Sequence, residues 1–152
     1  MPLGIYQYAA SFDGATGGER LALSLERVTD IDAIDSYVEI PQAFELDGPG
    51  TAFSRSEGLT VSWSGDDDAT ESHVRLDGAC VEAVAVDLDG NPGLAVIQPF
   101  EFVPAAGVGP EERCLVTVEV LIENEGVVDP AFGRGGTVRA YQTRAFEIES
   151  VP

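Results

Sequence analysis

The sequence predicts an all-β domain, an antiparallel sandwich with more strands than a minimal one needs. Three observations predict it. Apolar and polar residues alternate with period 2 along much of the chain, which sends the two sets to opposite faces of a strand. The 17 glycines and 9 prolines cluster between those runs, where turns need them. No segment carries an apolar stripe at helical spacing over three turns. A chain of 152 residues with no composition break is expected to form one domain, residues 1–152.

The elements follow in order. Residues 4–9 read as a short strand. Residues 20–27 alternate, with Leu21, Leu23 and Leu25 on one face. Residues 29–36 offer only two Asp-plus-apolar steps and read as a loop or short turn. A short strand is expected at 37–40. In 59–64, Leu59, Val61 and Trp63 point one way and Thr60 and Ser62 the other. Residues 73–77 alternate again. A strand-like run starts at Cys80 and ends at Val86, and Asp89-Gly90 after it is a tight-turn signal because glycine tolerates positive φ. Further strands are expected at 94–103, at 114–122 and at 138–148. A Phe-Glu echo recurs in 43–46, 99–102 and 145–148, each time with apolar residues flanking an outward glutamate. Prolines 41, 49, 99 and 104 suit strand ends and edges rather than central strands.

Charge narrows the function. There are 27 Asp and Glu against 8 cations, every one an arginine, for a net charge of −19. Such a surface repels phosphate backbones and anionic bilayers, so neither nucleic acid nor a membrane surface is an expected partner. No apolar run approaches the roughly 20 residues of a membrane-spanning helix. With 44% hydrophobic residues, disorder is excluded. The acidic side chains are dispersed along strands (Glu45, Glu101, Glu119, Glu147) and in loops, as a solvated coat that salt would screen. Together with the absence of lysine, that coat points to a saline habitat.

Residues 1–12 have no cationic start, no long apolar stretch and no small-residue cleavage site. Either the chain is cytoplasmic or a leader precedes it no longer. Cys80 and Cys114 each open a strand-like run. One bridge between two strand ends fits this placement, and so do two buried thiols. A bridge would favour an oxidising compartment. One histidine and no close cysteine pair make zinc an unsuitable ligand.

The segment 57–65, with Trp63 inward, resembles the Trp-bearing second strand of fibronectin type III and related immunoglobulin-like domains. That resemblance implies an immunoglobulin-like or fibronectin-III-like sandwich with additional strands, with Trp63 as its core anchor. Trp63 precedes both cysteines, so the antibody order of Cys, Trp and Cys is not present. A broader resemblance is to secreted, lipoprotein-like proteins of myxobacteria and their relatives. It rests on 21–27, on Tyr37-Val-Glu-Ile-Pro-Gln-Ala-Phe44, on Ser54-Arg-Ser-Glu-Gly58 with Val61 and Trp63, and on Gly78-Ala-Cys80. It continues through Cys114-Leu-Val-Thr-Val118, Asp129-Pro-Ala-Phe132 and 135–144. The resemblance implies export, a Cys80–Cys114 bridge and a removed leader. It implies no activity, and the lipidation cysteine of such lipoproteins is missing here.

No constellation supports nucleophilic catalysis. There is no Gly-x-Ser-x-Gly elbow, and the lone His73 reads as a solvent-facing strand residue. A glycosidase needs two carboxylates across a cleft, and none of the 27 acids is singled out. Calcium is the better chemical expectation. Asp87, Asp89 and Asn91 place side-chain oxygens at alternate positions around a glycine, and Asp66 and Asp68 lie in a second acidic loop. The EF-hand glutamate is absent, and Asp-Gly-Asn is also ordinary turn chemistry. Arg134 among glycines reads as a hairpin tip. Tyr6 and Tyr8, with Phe132 and Tyr141, are either core or a contact surface for another subunit or a glycan. An N-terminal strand is also a candidate to extend a neighbour's sheet. The expectation is therefore a non-catalytic structural or adhesive module at the cell surface, extracellular or periplasmic, with itself, another surface protein or a glycan as partner. A calcium-stabilised carbohydrate-binding module is the alternative, and a hydrolase the third.

Overall fold

The computed structural model describes residues 9, 11, 16–48, 50–65, 68–133 and 136–152. The chain is all-β. Among the described residues ten strands form three sheets. The first sheet is a hairpin of β1 (Arg20–Leu25) and β2 (Ala33–Glu39). The second runs β3 (Leu46–Asp47), β5 (Leu59–Trp63), β8 (Leu94–Ile97). The third runs β4 (Ala52–Ser54), β10 (Arg139–Val151), β9 (Cys114–Glu125), β6 (Glu71–Gly78), β7 (Val81–Asp89). Neighbours are antiparallel except β4 and β10, which run parallel.

Alternation explains how the two larger sheets meet. On β9, Val116, Val118, Val120 and Ile122 are no more than 1% exposed. Cross-strand register sets Val118 beside Leu76 and Val120 beside Val74 on β6. On the facing sheet, Leu59, Val61 and Trp63 of β5 and Ala95 and Ile97 of β8 are buried. These side chains, with Phe44, Phe53, Phe102 and Ile148, form one cluster, so the two sheets pack face to face in a sandwich-like arrangement. Each fully buried Val, Leu or Ile contributes about 1.5–3 kcal/mol.

Trp63 is the core anchor the pattern predicts, 4% exposed. A buried indole needs an acceptor for its N–H, and Asn91 Oδ1 supplies it at 2.6 Å. Gly90, at φ +68°, makes the turn out of β7 that carries Asn91 inward. The sulfurs of Cys80 and Cys114 are bonded, with Cα atoms 5.7 Å apart. The bridge joins the β6–β7 turn to the start of β9, and the two-thiol alternative falls.

Some strand expectations shift. The run expected at 94–103 stops as a strand at Ile97, because Pro99 cannot donate to a ladder. A 3-10 turn (Pro99–Glu101) follows, closed by Glu101 Oε2 accepting from the Gln98 N–H at 2.6 Å. The middle Phe-Glu echo is therefore not a strand, and Phe100 stands 81% exposed. The last part of the expected loop 29–36 is already β2. Leu23 and Leu25 share a face as expected, yet both are 41% exposed, because the hairpin has no second sheet over it. The strand expected at 4–9 lies outside the described residues, apart from Ala9.

The hairpin is fixed to the body through the far end of β9. Tyr37 and Val127 exchange backbone hydrogen bonds. Asn124 Nδ2 donates to Glu39 O at 3.1 Å, and Gln142 Nε2 to Pro41 O at 2.8 Å. Leu21 and Val138 pack beside Val38, Ile40 and Ala140 in a small second cluster. Gly126 allows the approach: a Cβ there would run into Tyr37 O and Val38. Among the described residues no helix is long and apolar enough to cross a membrane.

The bridge closes a loop of sequence separation 34, for which the chain-entropy model gives about 4 kcal/mol. Reduction, or the double substitution Cys80→Ala/Cys114→Ala, is expected to lower the unfolding free energy by about that amount. Urea denaturation with and without reductant measures it.

Candidate functional site

Two regions of the surface carry more than ordinary strand chemistry. The first is the outer face of the five-stranded sheet. Outward positions on β6 and β7 bring Glu71, His73, Asp87 and Asp89 side by side. His73 Nδ1 lies 2.7 Å from Asp87 Oδ1, and Nε2 lies 3.7 Å from Glu71 Oε2. His73 faces outward as expected, but its flanking carboxylates leave the side chain only 19% exposed. With Leu88 these residues line a shallow depression. Ser72 turns to the other face, where its Oγ donates to Gly90 O at 2.8 Å, so it does not present a hydroxyl to the imidazole. Glu71 also stands opposite Glu123 of β9. Arg139 compensates that crowding, with Nη1 3.0 Å from Glu123 Oε1.

The oxygens suggested for calcium are dispersed. Asp87 and Asp89 face outward on β7, with Asp87 engaged by His73. Asn91 is buried and holds the Trp63 indole. Asp68 lines a different depression, with Tyr37, Glu39, Thr70, Asn124 and Glu125. Asp66 lies outside the described residues, as does Arg134. Among the described residues no group of three or more His, Cys, Asp or Glu gathers closely enough to hold an ion.

The second region is the end of the β1–β2 hairpin. Its register passes from Leu23↔Ser36 to Leu25↔Ala33, two residues on β1 against three on β2. The extra residue is a bulge at Ile34-Asp35, and a bulge leaves backbone donors unpaired. Asp129 takes them. Its Oδ2 accepts from the N–H of Ile34 at 2.8 Å and of Asp35 at 2.9 Å. Its Oδ1 accepts from the Ala131 N–H at 2.8 Å, capping the 3-10 turn Pro130–Phe132. The backbone N–H of Asp129 donates to Ser36 Oγ at 2.9 Å. These donors, that of Ala131 first and that of Asp35 next, with the Arg27 charge, hold the Asp129 carboxyl below the ordinary aspartate value.

Arg27 ties the tip to the same turn. Its Nη1 donates to Ile31 O at 3.0 Å and to Ala131 O at 2.9 Å, and the guanidinium lies 5.8 Å from the Phe132 ring centre. Around this polar knot exposed apolar side chains alternate with the exposed Asp30, Asp32 and Asp35. Val28 is fully exposed, Ile31 76%, Ile34 56% and Phe132 40%. Tyr141, on the outer face of β10, is exposed as well. Tyr6 and Tyr8 lie outside the described residues.

Sequence reasoning met Asp129 and Arg55 only as positions in the motifs of the broader resemblance and assigned neither a role. The Asp-Pro step is a recognisable cap before a helical turn, but its grip on a bulge more than 90 residues away has no local signal. Arg55 is buried beside the disulfide. It donates to Pro110 O, Glu112 O and Ser150 Oγ and stands 3.6 Å from Cys80 Sγ, holding the segment before β9 against the end of β10.

Searches against protein-family models, curated proteins and solved structures each returned no match. Fold and surface define an all-β, disulfide-bridged, strongly acidic protein with an apolar hairpin end.

Because its folded-state pKa is depressed, Asp129 stabilises the protein fully above the ordinary aspartate value of 3.8. That contribution is lost as the pH falls through the lower folded value. Asp129→Asn, which sets an amide N–H₂ against backbone donors, is expected to lower the melting temperature at pH 7. The gap between wild type and D129N should narrow below about pH 3.8. Thermal melts from pH 7 to 2 measure both.

Proposed function

We propose that this chain is a non-catalytic extracellular or cell-surface module, a structural or adhesive immunoglobulin-like sandwich that works by contact with another surface. The single observation that carries the reading is the apolar hairpin end. Val28, Ile31, Ile34 and Phe132 lie open beside exposed Asp30, Asp32 and Asp35 in a protein whose net charge is −19, and exposed apolar side chains gathered at one end of a charged protein support an interaction site there. The Cys80–Cys114 bridge supports an oxidising compartment. Strand order supports the immunoglobulin-like assignment. A β10-β9-β6-β7 sheet with β4 added parallel at its edge, facing β3-β5-β8, parallels the G-F-C-C′ and A-B-E sheets of that fold. The partner is a second copy, another surface protein or a glycan.

Beads coated with the purified protein are expected to cluster or to retain members of a glycan array. Val28→Ser/Ile31→Ser/Ile34→Ser removes that behaviour and leaves the melting temperature unchanged. Beads that neither cluster nor retain a glycan overturn the reading.

The alternative is a calcium-stabilised carbohydrate-binding module, whose candidate ligands Glu71, Asp87 and Asp89 share one strip, although among the described residues no three of them gather closely enough to hold an ion. It requires a melting temperature that rises by several degrees in millimolar calcium and falls back with chelator. Asp87→Asn/Asp89→Asn should abolish the rise. No shift with calcium removes this alternative.

A further inference from the structure

We infer that the open edge of β1 is a self-complementary pairing site, at which a second copy of this chain adds its own β1 antiparallel about a two-fold axis at Leu23. The inference goes beyond the proposed function: it concerns the edge of β1 rather than the hairpin end, and it names a second copy as the partner and gives the register.

Four observations carry it. First, β1 pairs with β2 on one side, and among the described residues nothing pairs with its other side. Second, the backbone groups of that edge have a known direction. Tyr37 exchanges its N–H and C=O with Val127, on the side of β2 away from β1. Its register partner Ala22 is therefore in a non-hydrogen-bonded pair, and the N–H and C=O of Ala22 point to the open edge. By the alternation of a ladder, so do those of Arg20 and Ser24. Third, the edge is regular, because the extra residue of the bulge lies in β2. Its middle, Leu21 to Leu25, carries neither proline, nor a charged side chain, nor a bulge, which are devices that blunt an edge.

The fourth observation is the order of side chains. Residues 19–27 read Glu-Arg-Leu-Ala-Leu-Ser-Leu-Glu-Arg. Read backwards about Leu23, every charge meets its opposite. An antiparallel partner in this register sets Arg20 against Glu26, twice; Glu19, which accepts from Thr16, and Arg27, whose guanidinium is held by Ile31 O and Ala131 O, flank the ladder outside β1. Leu21 meets Leu25, Ala22 meets Ser24, and Leu23 meets itself. Opposite charges and apolar pairs directly across a ladder stabilise it, whereas like charges oppose it. The hydrogen-bonding positions agree: Ala22 with Ser24 and Arg20 with Glu26 bond, while the Leu23 pair falls at the narrow, non-bonded spacing. The product is a four-stranded sheet β2-β1-β1-β2 with an isologous interface, which covers Leu23 and Leu25, each 41% exposed in the single chain.

The test is covalent capture of the register. Leu23→Cys, mildly oxidised, is expected to give a disulfide-linked dimer, because narrow pairs meet the Cα spacing a disulfide needs. Leu94→Cys, an equally open leucine on β8, is expected to stay monomeric. In sedimentation at 0.15 M salt, where screening acts beyond about 8 Å, the wild type is expected to dimerise. Ala22→Pro removes an N–H that β2 does not use and is expected to give a monomer with an unchanged melting temperature. Arg20→Glu and Glu26→Arg are each expected to weaken dimerisation at least about tenfold, the size of one lost cross-strand pair at each end. Mixing the two restores it, because each then meets its opposite. A wild type that is monomeric at high micromolar concentration overturns the inference. So does an L23C that cross-links no better than L94C, or a charge-swapped mixture that does not pair. Beads that retain no glycan while L23C still cross-links would sink the adhesive reading at the hairpin end and leave the edge pairing standing.

Discussion

Strand β9 is the constraint on which the rest of the structure depends. Four of its alternate residues, Val116 to Ile122, are sealed in the core, and it pairs along nearly its whole length with β10 on one side and β6 on the other. Its first residue is the bridged Cys114, and just past its end Gly126 and Val127 receive the hairpin. A shift of one residue in this strand would turn four buried aliphatic side chains to solvent and bring Leu115, Thr117, Glu119 and Leu121 inside. The cost of burying a carboxylate excludes that alternative. The bridge, the sandwich-like core and the hairpin all take their positions from one register.

The acidic surface is arranged around that register. Outward positions of β6, β7 and β9 place Glu71 between Asp89 and Glu123. Arginines stand where the crowding is worst, as Arg139 does beside Glu123. Arg55 serves a different purpose. It is buried against backbone carbonyls rather than carboxylates, where a rigid fork of donors gathers three chain segments at once. With no lysine in the chain, every cation offers this planar geometry.

How much of this was legible in the sequence depends on the range of the interaction. Leu59, Val61 and Trp63 announce an inward face by alternation, and the structure buries all three. The Cys80–Cys114 placement at two strand starts admitted a bridge, and the bridge is there. The turn at Gly90 was readable, but the fate of Asn91 was not: an amide after a glycine looks like a surface ligand until Trp63 is known to need an acceptor. Pattern also cannot tell a face with a partner sheet from one without. Leu21, Leu23 and Leu25 alternate as cleanly as the core strands, yet the hairpin stands beside the sandwich rather than inside it. Asp129 was least legible, since its partners Ile34 and Asp35 come near it only after the chain has folded.

The parallel contact of β4 with β10 has a mechanical consequence. Glu149 N–H bonds to Thr51 O, Arg55 N–H bonds to Val151 O, and Ser54 Oγ donates to Pro152 O. Tension drawn from the hairpin side of β4 and from the end of β10 pulls two parallel strands in opposite directions. Those bonds then bear load in shear, together rather than one after another.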